Sequence, residues 1–121
     1  MGGNSSNEIL LSVVVPFFNT QAYLEDCILS IICNFKPIIG HVEIIIVDDA
    51  SPISGLSITQ KFNKTVKISY LQHNKNLSLF QARITGFLAA KGLYVTTVDS
   101  DDELSEINIE YLINVFNQKP D

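Results

Sequence analysis

The sequence predicts a parallel α/β sheet flanked by helices, and three observations carry that expectation. Two nearly continuous apolar runs, Ile9 to Val15 (ILLSVVV) and Val42 to Val47 (VEIIIV), have the composition of strands covered on both faces. Strand-like and helix-like stretches then alternate along the chain as β-α-β-α-β-α-β-α, which right-handed crossovers turn into a parallel sheet. Two of the strands run straight into carboxylates, at Asp48-Asp49 and at Asp99-Ser100-Asp101-Asp102. In such a sheet these acids share one edge, where ligands collect.

The elements follow in order. Residues Met1 to Asn7 are small and polar, so residues 1–8 read as a disordered tail and 9–121 as the folded part. Pro16 ends the first strand. Thr20 is placed to cap a helix whose apolar stripe is Leu24, Cys27, Ile28, Ile31 and Phe35, and Pro37 and Gly40 close it. After the second strand comes a weaker helix over Ile53 to Asn63, anchored by Ile58 and Phe62. Val66 to Leu71 alternates as an outer strand does. Ser78 and Gln81 have capping-box spacing, and the helix they open carries small residues at Ala82, Gly86, Ala89 and Ala90 that allow close approach to the sheet. Gly92 suits the residue after that helix. Tyr94 to Val98 is the fourth strand, and Ile109, Leu112, Ile113 and Phe116 mark a last amphipathic helix.

Composition narrows the function classes. The chain has 121 residues, 46% hydrophobic and 17% charged, which fits one folded domain or part of a larger one. A net charge of −5 without a Lys/Arg cluster leaves nucleic acid no electrostatic footprint. Cys27 and Cys33, six apart on one helix, face opposite sides and read as unpaired core thiols. No stretch approaches a membrane span and no signal-peptide pattern opens the chain, so a cytoplasmic location is expected.

The chemistry concentrates in Tyr94 to Glu103, YVTTVDSDDE. Asp99 and Asp101, one residue apart, leave the strand end on the same side, where they repel unless a cation or proton lies between them. Oxygen-only donors suit Mg²⁺ or Mn²⁺. An acidic loop opening a helix is the plain alternative for the same residues.

Taken together, SVVVPFFN (Ser12 to Asn19), EIIIVDDAS (Glu43 to Ser51), NKNLSLFQAR (Asn74 to Arg83) and YVTTVDSDDE resemble the nucleotide-sugar-binding half of family 2 glycosyltransferases, which have the GT-A fold. The resemblance implies that Pro16, Phe18 and Asn19 line a nucleotide pocket and that Asp49 accepts a hydrogen bond from the base, usually uracil, while Asp48 holds the loop. It implies that Arg83 braces the nucleotide or its phosphates, with an exposed helical arginine as the alternative. Asp99-Ser100-Asp101 matches the family's D-x-D motif, which implies a role for Asp99 at the ribose, for Ser100 in donor binding, and for Asp101 with Asp99 at a Mn²⁺ or Mg²⁺ ion. Two positions depart from the family: Ser78 stands where Gly is common, and Ile84 where Asn commonly follows the A-R pair.

The resemblance further implies a nucleotide-diphosphate sugar as donor, a saccharide or lipid-linked acceptor, and peripheral association with the cytoplasmic membrane face. The chain reads as the N-terminal half of such a domain, with the catalytic base elsewhere, since His41 and His73 look isolated. The edge of the fourth strand is then open to pairing with a second copy. A receiver-like phosphoacceptor module fits poorly, because Pro16-Phe17-Phe18 stands where paired acids are needed. A non-catalytic nucleotide-binding or scaffold domain of the same fold is the remaining alternative.

Overall fold

The computed structural model describes residues 8–100. The N-terminal residues 1–7, Asp101, Asp102 and the stretch carrying Ile109, Leu112, Ile113 and Phe116 lie outside the described residues. Glu8, expected in the tail, is held at its carbonyl by the His41 ring (Nδ1 to O, 2.9 Å), so His41 is not isolated.

Four parallel strands form the described sheet in the order β3-β2-β1-β4: β1 (Leu11–Phe17), β2 (Val42–Asp48), β3 (Lys67–Gln72) and β4 (Tyr94–Thr97). Helix α1 (Gln21–Asn34) joins β1 to β2, the short α2 (Leu56–Gln60) joins β2 to β3, and α3 (Leu79–Ala89) carries the chain from β3 across to β4. Right-handed crossovers in opposite directions put α1 and α2 on one face and α3 on the other. The order therefore reverses between β1 and β4, the position at which parallel sheets open a crevice.

Alternation along the interior strands divides the core accordingly. Val13, Val15, Phe17, Ile44 and Ile46 pack with Leu24, Cys27, Ile28 and Ile31 of α1 and with Phe62. Val14, Ile45 and Val47 point the other way, against Ala82 of α3. Of the small residues expected to let α3 approach, Ala82 and Gly86 are buried, Ala90 packs partly and Ala89 is exposed. At Gly86 the fit is tightest, for an added Cβ would lie 2.3 Å from Val14 Cγ1.

Several expectations change. Strand β1 does not stop before Pro16 but runs through it to Phe17, with Pro16 opposite Val47. A proline is tolerated there because its missing N–H faces the β4 side, where the pairing already ends at Val14 with Thr97. Helix α2 is one short helix, Leu56–Gln60, rather than a run from Ile53. The Gly55 amide is committed to the Tyr70 hydroxyl at its start (2.9 Å), and tighter three-residue turns at Lys61, Phe62 and Asn63 replace the helix at its end. Phe62 still reaches the core, whereas Ile58 is only partly buried. Cys27 is buried as expected, but Cys33 is exposed; neither is in a disulfide.

Gly92 has a different purpose from the one its position suggests. Helix α3 ends at Ala89 and the capping residue Ala90 is extended, so no left-handed residue follows it. A side chain at Gly92 would strike Ser12, whose amide nitrogen lies 2.8 Å from the Cβ position. The close approach is fastened by a buried network in which the Ser12 hydroxyl donates to Glu43 Oε2 (2.6 Å) and accepts from the Gly92 amide (2.8 Å), while the Lys91 amide also donates to Glu43 (2.7 Å). This network sits at the amino end of the sheet. The opposite end carries the site.

Candidate nucleotide-sugar site

At the carboxyl edge, three loops meet: 18–20 after β1, 49–55 after β2, and 98–100 after β4, joined from the α3 side by 73–78. Their organisation begins with Asp48 and Asp49. Both are buried, at 0% and 1% exposure, and as consecutive residues leaving a strand they turn to opposite faces. Asp48 turns toward α1 and α2, where its Oδ1 accepts from the Ser51 amide (2.8 Å) and its Oδ2 from the Tyr70 hydroxyl. Burial, and after it the bond to Asp48, pushes that hydroxyl above its usual 10.0, so it stays a donor. The expectation that Asp48 holds the loop matches this geometry.

Asp49 turns toward α3. Its Oδ1 accepts from His73 Nδ1 (2.8 Å) and the Leu77 amide (2.8 Å), and its Oδ2 from the Ser78 amide (2.9 Å). Burial raises the proton affinity of this carboxyl, but the hydrogen bonds from His73, Leu77 and Ser78 and the nearby His73 together hold it below the usual 3.8. Three of about four lone-pair directions on the carboxylate are thus taken by the protein, leaving one on Oδ2.

His73, which looks isolated in the sequence, is nothing of the kind. Its backbone amide donates to the Asp48 carbonyl (2.8 Å), and its ring, with a side chain only 10% exposed, spans from Asp49 to the Thr85 hydroxyl on α3 (Nε2 to Oγ1, 2.8 Å). A polar residue directly after a strand at the acidic edge was the available signal. Its partners come from other elements, so sequence spacing could not supply them.

The capping box at α3 forms by half. Ser78 Oγ accepts from the Gln81 amide at 3.2 Å, but the Ser78 amide that Gln81 would have reached is already bound to Asp49. Ser78 pays for this arrangement with φ 103° and ψ 155°, a region that glycine occupies freely and other residues at a cost of roughly 1–3 kcal/mol. Asn19 (φ 56°) and Ala50 (φ 64°) also have positive φ, and the Asn19 amide donates to Ser51 Oγ (2.8 Å). Among the described residues, every non-glycine with positive φ belongs to these loops.

The loop after β4 is tied to α1. Ser100, 4% exposed, shares a hydrogen bond with the Thr20 hydroxyl, and the Cys27 thiol donates to the Asp99 carbonyl at 3.6 Å. Thr20 therefore does not cap α1 with its side chain as its position suggests, because that hydroxyl is engaged across the rim. Asp99 keeps its carboxylate partly in solvent, 41% exposed, and Arg83 reaches from α3 to its Oδ1 at 2.8 Å. The guanidinium is 32% exposed, so the pair is worth only about 0.3–1 kcal/mol and serves chiefly to orient Asp99.

Of the residues singled out from sequence, Phe18, Asn19, Arg83 and Asp99 stand at the accessible rim. Pro16, Asp49 and Ser100 lie buried beneath it. Asp101 lies outside the described residues, and no cluster of three metal-binding side chains occurs among the described ones. Oxygen donors are nonetheless what the rim offers: Asp99 has its second carboxylate oxygen free of Arg83, and Mg²⁺ or Mn²⁺ needs only one or two such groups beside water and phosphate.

A reversal between β1 and β4, acidic loops at the carboxyl edge and a basic residue beside the last of them define an open α/β domain with a polar crevice at the place where such sheets take their ligands. The chain belongs to glycosyl transferase family 2, whose profile matches residues 12–121. It is 39% identical over 113 residues to the glycosyltransferase GlyG of Streptococcus pneumoniae, an alignment that covers 91% of this chain and 36% of that protein. In three dimensions it is similar to TarS 1-349 of S. aureus, with a TM-score of 0.75 and 28% identity over 88% of this chain and 31% of that one. TarS has also been solved with UDP and with UDP-GlcNAc. The mannosyltransferase PcManGT of Pyrobaculum calidifontis, solved with GDP-Man and Mn²⁺, has a TM-score of 0.74 at 19% identity over 93% of this chain and 33% of that one, a likeness of fold. The chain spans about a third of the length of these relatives. Among the described residues, no helix is long and apolar enough to cross a membrane.

Two outcomes are expected. Ser78→Gly removes the backbone strain and loses only a weak cap, so unfolding in urea should show a gain of about 1 kcal/mol; a loss would mean that the cap outweighs the strain. For Asp49, the folded carboxyl lies below its unfolded value of 3.8, so its contribution to stability is present above that pH and disappears as pH falls through the folded value. The stability gap between the natural protein and Asp49→Asn should accordingly be widest near neutrality and narrow below pH 3.8, as read from denaturant unfolding across pH.

Proposed function

We propose that this chain binds a nucleotide-diphosphate sugar, with uridine diphosphate as its nucleotide part, at the crevice between β1 and β4. As part of a longer glycosyltransferase it would support transfer of the sugar to a saccharide or lipid-linked acceptor. The observation that carries this reading is the convergence of the Asp48-Asp49 and Asp99 strand ends, with Arg83 of α3, on one edge at the point where the strand order reverses.

In this reading Phe18 and Asn19, exposed at the lip, border the base, with Pro16 beneath them forming the floor. The direction left open on Asp49 Oδ2 suits a base N–H, since an ionised carboxylate only accepts. Asp99 receives the ribose, and its carboxylate together with Asp101 would hold a Mn²⁺ or Mg²⁺ ion. Such an ion, when bound, neutralises charge on the departing diphosphate. Arg83 keeps Asp99 aimed at the crevice and adds positive charge beside the phosphates. Ser100 contributes by bonding Thr20, which fixes the acidic loop against α1. The same reading includes residence in the cytoplasm, attachment at the membrane face where lipid-linked acceptors lie, and pairing of copies along the outer side of β4, the terminal strand of the described sheet.

A non-catalytic scaffold of the same fold is the competing reading, favoured by the deep engagement of Asp49 with the protein itself. Calorimetric titration of UDP with and without Mn²⁺ separates the two. The donor-binding reading expects metal-dependent binding that weakens about tenfold or more in Asp99→Ala and in Asp101→Ala, as loss of a charged ligand contact implies. Equal binding by both variants would contradict it.

A further inference from the structure

We propose that His73 is a positioning residue that sets helix α3, and with it Arg83, against the acidic rim. The inference rests on the donor-binding reading only for its consequence in affinity; the geometric part stands by itself.

The ring connects two elements that no backbone ladder joins. On one side it meets Asp49 at the end of β2, on the other Thr85 in the middle of α3, each at 2.8 Å. Its own amide is fixed to the Asp48 carbonyl, so the ring's origin cannot drift from the rim. Asp49 as a carboxylate only accepts, hence Nδ1 carries a proton and donates. In the neutral ring Nε2 then accepts from the Thr85 hydroxyl, and in the protonated ring it donates to the same oxygen. Both contacts survive either state, so the bridge is a spacer of fixed length.

Thr85 lies two residues beyond Arg83 on α3, and Arg83 makes the ion pair with Asp99. Gly86 sets how deeply α3 sits on Val14, but a glycine contact does not fix rotation or sliding along the sheet. The His73 bridge supplies that restraint. Asp49 meanwhile clamps Leu77 and Ser78 at the start of α3, so the helix is held at its first residues and again about two turns further on.

Amide side chains divide the two contacts. His73→Asn places a donor near the Nδ1 position and has nothing at Nε2; His73→Gln places one near Nε2 and loses Nδ1. The readouts are the Arg83 side-chain N–H resonance, which reports its contact with Asp99, the thermal midpoint, and UDP affinity. The bridge requires both contacts, so the Arg83 resonance should move toward its solvent-exposed position in both variants and in Thr85→Val. UDP binding should weaken about tenfold, as loss of a charge-assisted hydrogen bond in a pocket implies. A lowered midpoint with an unmoved Arg83 resonance in the folded protein would reduce His73 to a stabilising residue and overturn the proposal. If the natural chain binds no UDP while the Arg83 resonance shifts as expected, the donor-binding reading fails and the positioning role of His73 holds.

Discussion

Everything at the carboxyl edge depends on two adjacent buried carboxylates having to find separate partners. Removing an ionised carboxylate from water costs several kcal/mol unless hydrogen bonds replace the lost solvent. Asp48 and Asp49 follow each other at the end of an interior strand, so the pleat sends them to opposite faces and neither can borrow the other's donors. Asp48 is satisfied by its own loop and Tyr70 of the neighbouring strand; Asp49 by two amides and a histidine from the segment leading into α3. Each loop is bent to bring its donors in. The rim has its shape because the acids must be paired.

That requirement accounts for the strain. Ser78 turns to positive φ while its amide points at Asp49, and Ala50 does so in the turn that brings the Ser51 amide back to Asp48. Strained backbone persists only where its surroundings over-determine it, and buried charge is a strong determinant. The functional consequence is preorganisation. Under the proposed donor-binding reading, a nucleotide entering between β1 and β4 would meet loops already fixed from beneath, with Asp99 and Arg83 left at the surface to respond to it.

The sequence shows this architecture wherever one segment decides its own fate. The apolar runs of β1 and β2 can only be buried strands, and the stripe from Leu24 to Ile31 buries as its spacing says. The carboxylates at both strand ends are equally legible. What could not be read was each polar group's choice among competing partners. Thr20 gives up a cap for Ser100, Gln81 loses its half of the capping box to Asp49, and His73, plain in a loop, is engaged by two elements from elsewhere in the chain. Gly92 and Pro16 failed for a related reason: one answers to a neighbouring backbone, the other to where β4 stops pairing, and both are facts of the sheet rather than of the segment.

The most direct test of this account is amide hydrogen exchange at Leu77, Ser78 and Ser51 in the natural protein and in Asp49→Asn. If buried carboxylates hold the rim, all three amides are protected in the natural protein, and the variant loses protection at Leu77 and Ser78 while Ser51, bound to Asp48, keeps it. Fast exchange at Leu77 and Ser78 in the natural protein, or protection unchanged by the substitution, would contradict it.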